Sequence, residues 1–322
     1  MIEKTWKLLR ICYTKLSSYS IPPSEFENDA EKASAIMNDI LSAEKPCMIT
    51  RFGATEITTL VNYLGVKQGK PNIIKYIKGE ALDWWWYPEM KDYMQNSSGF
   101  FPPTEDNLVQ FCEMMLEDIK EIDLLGSWQS KEFYFQEQLK NVKKVSIPLL
   151  EPWHSKNPWS KCLEGKKVLV IHPFAKTIES QYKKRKSLFD NKDILPEFQL
   201  QIIPAVQSLN GVSDRFNNWF DAFDWMKSEI DKSDYDYALL GCGAYGLPLA
   251  AHIKRQGKKA IHLGGALQLL FGIWGRRWND PDAWVKEFGI QQGFYLKLKN
   301  NEWVSPTNEY IPENPLENGC YW

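Results

Sequence analysis

Residues 235–278 constrain the fold more than any other part of this sequence, because two strand–glycine–helix units follow one another there. The stretch reads YDYALLGCGAYGLPLAAHIKRQGKKAIHLGGALQLLFGIWGRRW. An apolar strand at 237–240 leads into a G-x-G-x-x-G turn and then a helix that ends near Gly257. A second strand at 260–263 ends in two further glycines. This alternation predicts parallel strands with helices packed on the sheet.

The glycines of these two turns are candidates for holding a phosphate or diphosphate. Glycine lets the backbone approach a ligand closely, and the helix that follows offers N–H groups and a positive dipole end. The alternative is that these glycines only make tight turns in an α/β sheet. The candidate phosphate-binding residues in this stretch are Gly241, Gly243, Tyr245, Gly246, Gly264 and Gly265.

A nicotinamide dinucleotide is a weaker interpretation of the same motif. The dinucleotide fingerprint places an acidic residue about 20 residues further on, at the end of the next strand, for the ribose hydroxyls. In this sequence that strand ends in His262-Leu263-Gly264-Gly265, without a carboxylate. An oxidoreductase is therefore the least favoured function.

The second half of the chain predicts a Rossmann-like, doubly wound, mostly parallel sheet flanked by helices. Strands at 167–171, 200–203, 237–240 and 260–263 alternate with three helices, the second of them spanning 214–231. A proline-rich loop at 148–158 separates two portions. The N-terminal portion, 1–150, is helical and α/β, and the portion at 151–322 binds the nucleotide, unless the two form one continuous domain.

A further strand–glycine–helix unit lies near the N-terminus, at 46–64. Arg51, Gly53 and Glu56 surround its turn, so they are candidates for facing a ligand at the carboxyl edge of the sheet. An Arg51–Glu56 ion pair that only fixes the turn explains the same residues equally well.

His172 follows the strand at 167–171, where α/β enzymes place ligand contacts. It is a candidate base, and a hydrogen-bonded structural histidine is the alternative. Lys176 and Thr177 begin the next predicted helix, where they are candidates for binding a phosphate.

Two segments carry apolar residues without a fixed role. Residues 80–103 contain the runs WWWYP and GFFPP, a pattern that fits neither a helix nor a strand. They predict either an irregular aromatic lid or a platform for the acceptor. The preferred interpretation is that these aromatic residues fill the core under a long loop. Residues 1–20 predict an amphipathic helix that packs on the core by default. Pairing in a homo-oligomer and contact with a membrane surface are its alternatives.

Composition excludes several classes of protein. The 322 residues carry a formal net charge of -2, which gives no electrostatic footprint for nucleic acid. The six cysteines form no C-x-x-C pair, so zinc-site spacing is absent. We expect neither a signal peptide nor a transmembrane segment, because no apolar run approaches ~20 residues. These features predict a cytoplasmic protein with free thiols, with the inner face of the membrane as a peripheral site.

Two motifs together resemble the GT-D-type glycosyltransferases of bacterial glycan and glycoprotein assembly. The first is RFGATE, residues 51–56. The second, longer and more specific, runs from the G-x-G-x-x-G turn through HLGG, Gln268 and FGI to Arg276-Arg277-Trp278. The resemblance covers most of the chain from about residue 36 onward. It implies a Rossmann-like fold and sugar transfer from a nucleotide-sugar donor, often a UDP-sugar, to a glycan, glycolipid or glycoprotein.

The chain departs from this family at one position. Members carry a D-x-E element after the R-[FY]-G turn, and this sequence has Ala54-Thr55-Glu56 there. A hard cation such as Mn²⁺ or Mg²⁺ takes about six oxygen ligands, so one carboxylate holds it poorly. Three outcomes stay open. In the first, Glu56, diphosphate and water hold the metal. In the second, Arg51, Lys176, Arg276 or the helix N-terminus at Gly246 neutralises the leaving diphosphate without a metal. In the third, the protein binds the nucleotide and does not turn it over.

The resemblance therefore predicts a glycosyltransferase in which Glu56 binds a metal or acts as the base on the acceptor hydroxyl, with His172 as the alternative base. Arg51 and Arg276 would stabilise the leaving phosphate. The second hypothesis, motivated by the missing aspartate, is a non-catalytic nucleotide- or glycan-binding protein of the same pathway.

Overall fold

The computed structural model describes residues 2–17, 21–207, 215–306 and 319–321. The sequence predicts a loop at 205–211, a helix at 214–231 and a C-terminal tail that docks on the protein. Residues 208–211 of the loop, residue 214 of the helix and most of the tail lie outside the described residues.

The described strands all belong to one sheet. They are β1 Cys47–Arg51, β2 Leu124–Ser127, β3 Lys143–Ser146, β4 Lys167–His172, β5 Gln199–Pro204, β6 Tyr237–Leu240 and β7 Lys259–His262. The described α-helices are α1 Ile2–Ser17, α2 Ala30–Ser42, α3 Ala54–Gln68, α4 Ile73–Ile77, α5 Met90–Ser98, α6 Glu105–Asp118, α7 Ala175–Tyr182, α8 Arg185–Leu188, α9 Trp219–Asp231, α10 Gly246–Arg255, α11 Leu267–Leu270, α12 Val285–Phe288 and α13 Phe294–Leu298. Short 3₁₀ turns join many of them.

The seven strands are parallel and lie in the order β3-β2-β1-β7-β6-β4-β5. This confirms the Rossmann-like, doubly wound α/β fold expected from the sequence. Strands from both predicted portions of the chain share the sheet, because β1 pairs directly with β7. Val168–Ile171 of β4 are buried on both faces, as parallel strands covered by helices on both sides must be.

Successive strand residues face opposite sides of the sheet and so build two cores. On one face, Cys47 and Ile49 of β1 belong to a cluster that includes Met37 of α2. On the other face, Met48 joins a cluster that includes Leu60 of α3 and several residues of α10.

The strand order reverses at the middle of the sheet. From β1 the chain moves outward to β2 and β3, whereas from β4 it moves to β5 on one side and back to β6 and β7 on the other. The carboxyl ends of β1, β7, β6 and β4 are therefore neighbours. Ligands of open α/β sheets bind at such a switch point.

The chain after β2 differs from the sequence prediction. The sequence predicts a helix leading to a strand over residues 130–145, but the structure has a 3₁₀ turn, Ser130–Phe135, followed by irregular turns. The buried carboxylate of Glu132 accepts hydrogen bonds from the backbone N–H groups of Trp128 and Gln129, both at 2.9 Å. These bonds close a tight turn, so side-chain to backbone hydrogen bonding competes successfully with the helix. The sequence also predicts a short strand at 122–125, and the structure has this strand at Leu124–Ser127.

The aromatic segment at 80–103 is partly helical, because Met90–Ser98 forms α5. The expectation of neither helix nor strand was therefore wrong for these residues. Phe100 and Phe101 are buried in the core on the α3 face of the sheet, which agrees with the plug interpretation. Residues 97–99 lie at the strand-end cleft described below.

Candidate functional site

A cleft opens at the carboxyl ends of β1, β4, β6 and β7, and we call it the strand-end cleft. Arg51 of β1, His172 of β4, Gly241 after β6 and His262 of β7 line it. The first turn of α3, the end of α5 and Tyr321 near the C-terminus complete its walls. The two glycine turns and the RFGATE turn, which are distant in sequence, thus face one cavity.

Arg51 reaches from β1 across to the turn after β7. A Cβ atom on Gly264 would lie 2.8 Å from Nη1 of Arg51, so only glycine leaves room for the guanidinium there. Gly264 also has φ +62°, a conformation that glycine adopts without strain. The guanidinium carbon of Arg51 lies 5.4 Å from the centre of the Trp128 ring, within range of a cation–π interaction.

Glu56 lies in the first turn of α3, and its carboxylate folds back over Gly53. A Cβ on Gly53 would be 1.7 Å from Oε2 of Glu56, so the carboxylate occupies this position because residue 53 has no side chain. A carboxylate at a helix N-terminus is stabilised by the helix dipole. Among the described residues that line the cleft, Glu56 is the one carboxylate.

His172 is buried at the end of β4, and its imidazole packs against Gly241. A Cβ on Gly241 would approach Cδ2 of His172 to 2.7 Å. The Nδ1 atom accepts a hydrogen bond from the Phe174 backbone N–H at 3.0 Å, which leaves the ring proton on Nε2. Burial lowers the pKa of His172 to about 3, so the ring is neutral at physiological pH.

His262 is a second buried histidine at the cleft. Its Nδ1 lies 3.0 Å from the Thr50 hydroxyl, and a Cβ on Gly246 would lie 2.1 Å from its Nε2. No described residue forms a hydrogen bond with this Nε2. Burial, and secondarily the nearby Arg51 charge, lowers the pKa of His262 to about 3.

The C-terminal end of the described chain packs onto the last glycine turn. A Cβ on Gly265 would lie 2.2 Å from Cε1 of Tyr321, so the Tyr321 ring occupies the space that the glycine leaves. Nη1 of Arg277 donates to the Tyr321 hydroxyl at 2.6 Å, and both residues line the cleft. Arg276 instead binds the backbone near the C-terminus, where its Nη2 donates to the Gly319 carbonyl at 3.1 Å.

The N-terminus of α10 offers a phosphate fewer donors than the G-x-G-x-x-G pattern predicts. The Gly246 N–H donates to the Gly243 carbonyl in a 3₁₀ turn, and Pro248 has no N–H. The Tyr245 ring stacks on Trp219, with ring centres 4.5 Å apart and parallel planes, which places its ring in the core. The positive charge offered to a ligand therefore comes mainly from guanidinium groups.

The structure gathers most of the predicted site residues at this one cavity. Those that line it are Arg51, Gly53, Glu56, His172, Gly241, Gly243, Tyr245, Gly264 and Gly265. Four predicted residues are not part of its lining: Lys176, Thr177, Gly246 and Arg276. On α7, Lys176 is exposed and Thr177 is buried. Gly246 instead makes room for the His262 ring.

Sequence reasoning missed four side chains of the cleft. Trp128, His262, Arg277 and Tyr321 all line it. The adjacent Arg276-Arg277 pair indicates a basic residue near the site, but the sequence does not say which of the two arginines lines the cleft. For Trp128 and Tyr321 no local motif exists, because each reaches the cleft through a distant segment.

The described residues offer few side chains that could bind a metal ion at the cleft. No group of three or more His, Cys, Asp and Glu side chains within the described chain is placed to hold a metal ion. Magnesium is commonly bound through one or two carboxylates together with substrate phosphates. Glu56 fits that manner of binding and does not fit an all-protein metal site.

A scan against protein-family models matches residues 28–270 to a family described as a GT-D fold-like domain. The match spans about three quarters of the 322 residues. The chain belongs to the GT-D-like family. No curated protein and no solved structure matches the chain. The GT-D-like match includes all seven strands and ends before Arg277 and Tyr321, so part of the cleft is built by a segment beyond it.

Proposed function

We propose that the protein is a glycosyltransferase that moves a sugar from a nucleotide-sugar donor, with UDP-sugars as the first class to test, to a glycan, glycolipid or glycoprotein acceptor. Membership of the GT-D-like family supports sugar transfer. The observation that carries the proposal is the convergence of Arg51 and Arg277 on a cleft whose described lining residues include a single carboxylate, that of Glu56.

The charge of the cleft suits a diphosphate. Among the described residues that line it there are two guanidinium groups and one carboxylate, and both histidines are neutral because burial lowers their pKa to about 3. In sugar transfer the nucleoside diphosphate leaves with increased negative charge. Positive groups fixed before the reaction stabilise such charge without reorganisation. We assign this role to Arg51 and Arg277, which replaces the sequence-based assignment of Arg276.

Glu56 is the better of the two candidate bases. A base must accept a proton near the working pH, and burial holds the His172 pKa at about 3. In addition, Nδ1 of His172 already accepts the Phe174 N–H. Glu56 is the carboxylate among the described residues that line the cleft. His172 then serves as a neutral donor that orients the ligand through Nε2–H.

A divalent cation, Mn²⁺ or Mg²⁺, would be held by Glu56 together with the diphosphate oxygens and water. Its chemistry would be to neutralise charge on the leaving diphosphate. The arginines supply part of the same charge without it. The metal dependence of nucleotide binding therefore measures how the two share this role.

Thermal unfolding with UDP, GDP or NAD, each with and without Mn²⁺, tests the proposal. A ligand at about 100 times its Kd adds about 2.7 kcal/mol of stability, so we expect UDP to raise the melting temperature. Arg51→Ala should reduce this shift, and Arg185→Ala, which removes an arginine on α8 paired with Glu197, should leave it unchanged. A shift with NAD alone would favour an oxidoreductase.

Turnover separates the enzyme from a binding protein. Release of UDP from a UDP-sugar, measured over a panel of donor sugars, supports the transferase. UDP binding without any such release supports the second candidate, a nucleotide- or glycan-binding protein of the same pathway, which the single carboxylate at Glu56 motivates.

We also propose that the protein docks on an anionic membrane surface through α1. None of the described helices has the length and apolar character needed to cross a bilayer. However, α1 exposes five large apolar side chains, and α4, against which α1 packs, exposes a sixth. These are Leu8, Leu9, Ile11, Tyr13, Leu16 and Ile74.

The orientation of α1 supports this docking. Arg10 faces the body of the protein, where Nη1 donates to the Ala81 carbonyl at 3.0 Å and lies 3.7 Å from the Asp83 carboxylate. Leu8 and Leu16 lie on the opposite side of the helix and are 61% and 87% exposed. The helix carries one acidic residue and four basic residues. Two of the basic residues face the protein, Arg10 as described and Lys7 with its Nζ 4.7 Å from the centre of the Tyr87 ring, which leaves the other two lysines of the helix to add positive charge. Apolar residues together with basic charge are typical of helices that lie on anionic lipid.

Co-sedimentation with lipid vesicles tests this surface. We expect binding to phosphatidylglycerol-containing vesicles and little binding to pure phosphatidylcholine. The double variant Leu8→Gln and Leu16→Gln should weaken binding at least about tenfold, because each buried leucine is worth ~1.5–3 kcal/mol. Leu296→Gln, which changes a 43% exposed leucine on α13, is the matched control. If the same double variant instead breaks a dimer formed without lipid, α1 is the interface of a homo-oligomer.

A further inference from the structure

A second cavity lies beside the strand-end cleft, and we call it the side cavity. The two share one wall, made by Arg51, Trp128, Gly265, Arg277 and Tyr321. A ligand in the side cavity would therefore lie next to any group held by Arg51 in the cleft. No role is assigned to this cavity by the function proposed above.

Two tryptophan rings form the apolar part of the side cavity. Trp128 and Trp284 both line it and are half-buried. Their ring centres are 5.8 Å apart and their planes are perpendicular, at 88°, so the two rings form a corner. Apolar ring faces with an N–H at the edge are suited to a ligand that has both C–H and O–H groups.

The backbone of Trp284 is strained in order to place this ring. Its φ is +63°, and among the described residues it is the non-glycine residue with a positive φ. Such an angle is a genuine outlier for a bulky side chain. Strain of this kind persists where the surroundings determine it and is concentrated at functional sites. The Trp284 carbonyl accepts the Phe288 N–H at 3.1 Å, which fixes the turn into α12.

Glu151 supplies a polar acceptor at the same cavity. It is 7% exposed, and its Oε2 accepts from the Tyr295 hydroxyl at 2.8 Å and lies 3.2 Å from Nε2 of His154. Both of these contacts from the described chain go to Oε2, so the other oxygen is left for a ligand. A carboxylate repels a second phosphate and accepts hydrogen bonds from hydroxyl groups.

We propose that the side cavity binds a neutral pyranose ring, as the acceptor sugar of the reaction. The ring would stack its C–H face in the Trp128–Trp284 corner and donate hydroxyl hydrogen bonds to Glu151. The shared wall at Arg51 then places it beside the donor. This inference rests on the proposed transferase function. Trp284, Arg277 and Tyr321 lie outside the residues 28–270 that match the family model, so this chain's own C-terminal segment would determine acceptor choice.

Saturation-transfer-difference NMR tests the inference with methyl glycosides of glucose, galactose, mannose and N-acetylglucosamine, each with UDP present. We expect ring-proton signals from at least one glycoside. Trp284→Gly should reduce that affinity about fivefold or more, the effect of losing one aromatic contact. Glycine accepts the positive φ at this position, so the variant should stay folded and keep its UDP shift.

Two further variants make the test specific. Glu151→Gln, which keeps the size of the side chain, should weaken the binding of the same glycoside. Trp6→Ala, which removes a half-buried tryptophan on α1, should change nothing. Absence of signal from all four glycosides, or an unchanged signal in Trp284→Gly, would overturn the inference while the UDP shift stands. Loss of the UDP shift with glycoside signals intact would instead overturn the nucleotide function alone.

Discussion

Replacing Glu56 with Gln is expected to lower the turnover rate for sugar transfer by at least ~100-fold, within the range that a general base supplies. Glutamine keeps the size of the side chain and its place over Gly53, where a Cβ would lie 1.7 Å from Oε2. It removes the negative charge and the ability to take a proton. The measurement is release of UDP from the donor sugar that the wild-type protein turns over.

The same variant separates the two roles proposed for Glu56. If Glu56 acts as the base, Glu56→Gln should lose turnover and keep the stabilisation by UDP with Mn²⁺. If Glu56 holds the metal, the extra stabilisation that Mn²⁺ gives to the UDP complex should also disappear. Glu105→Gln is the matched control, because Glu105 also lies in the first turn of a helix, α6, but pairs with Lys91 at the surface. Full turnover in Glu56→Gln would contradict both roles.

The fold was predictable because its signals are local. The strands β4, β6 and β7 are short apolar runs that end in polar or glycine residues, and the alternation with helices fixes a parallel sheet. The turn after β2 was not predictable in this way. There the buried carboxylate of Glu132 organises the backbone, and nothing in the sequence pattern distinguishes it from an exposed glutamate on a helix.

The candidate site was predictable only in part, for a related reason. The glycine positions were visible in the sequence, but what each glycine makes room for is a contact between distant segments. Gly246 and His262 illustrate this: the motif predicts a phosphate at the glycine, whereas the histidine ring from the next strand occupies the space. Likewise, the Tyr321 ring packs on Gly265, although the two residues are 56 positions apart in the sequence. Periodicity and turn chemistry carry no information about such pairings.

The two buried histidines predict a strong pH dependence of stability. Their folded-state pKa values of about 3 lie well below the ~6.5 of an unfolded chain. Between these values the unfolded state binds one more proton per histidine, so the free energy of unfolding falls as the pH falls below 6.5. From about pH 7 to about pH 5 the two together should remove roughly 4 kcal/mol.

Asp118 acts in the opposite direction over part of this range. Burial raises its pKa to about 6 despite the Arg255 guanidinium at 2.6 Å. A carboxyl whose folded pKa is raised binds its proton more tightly in the folded state, so its contribution to stability increases as the pH falls. It should offset about 1 kcal/mol of the loss, leaving a net decrease of roughly 3 kcal/mol.

Urea denaturation of wild type and His262→Asn at about pH 7 and about pH 5 isolates the histidine contribution. We expect the decrease in unfolding free energy to be about 2 kcal/mol smaller in the variant, because one proton-linked group has been removed. His252→Asn, which changes a histidine that contacts Asp231 near the surface, should not reproduce the full difference. An equal decrease in wild type and His262→Asn would mean that the imidazole is solvated when folded. The cleft would then admit water at the end of β7.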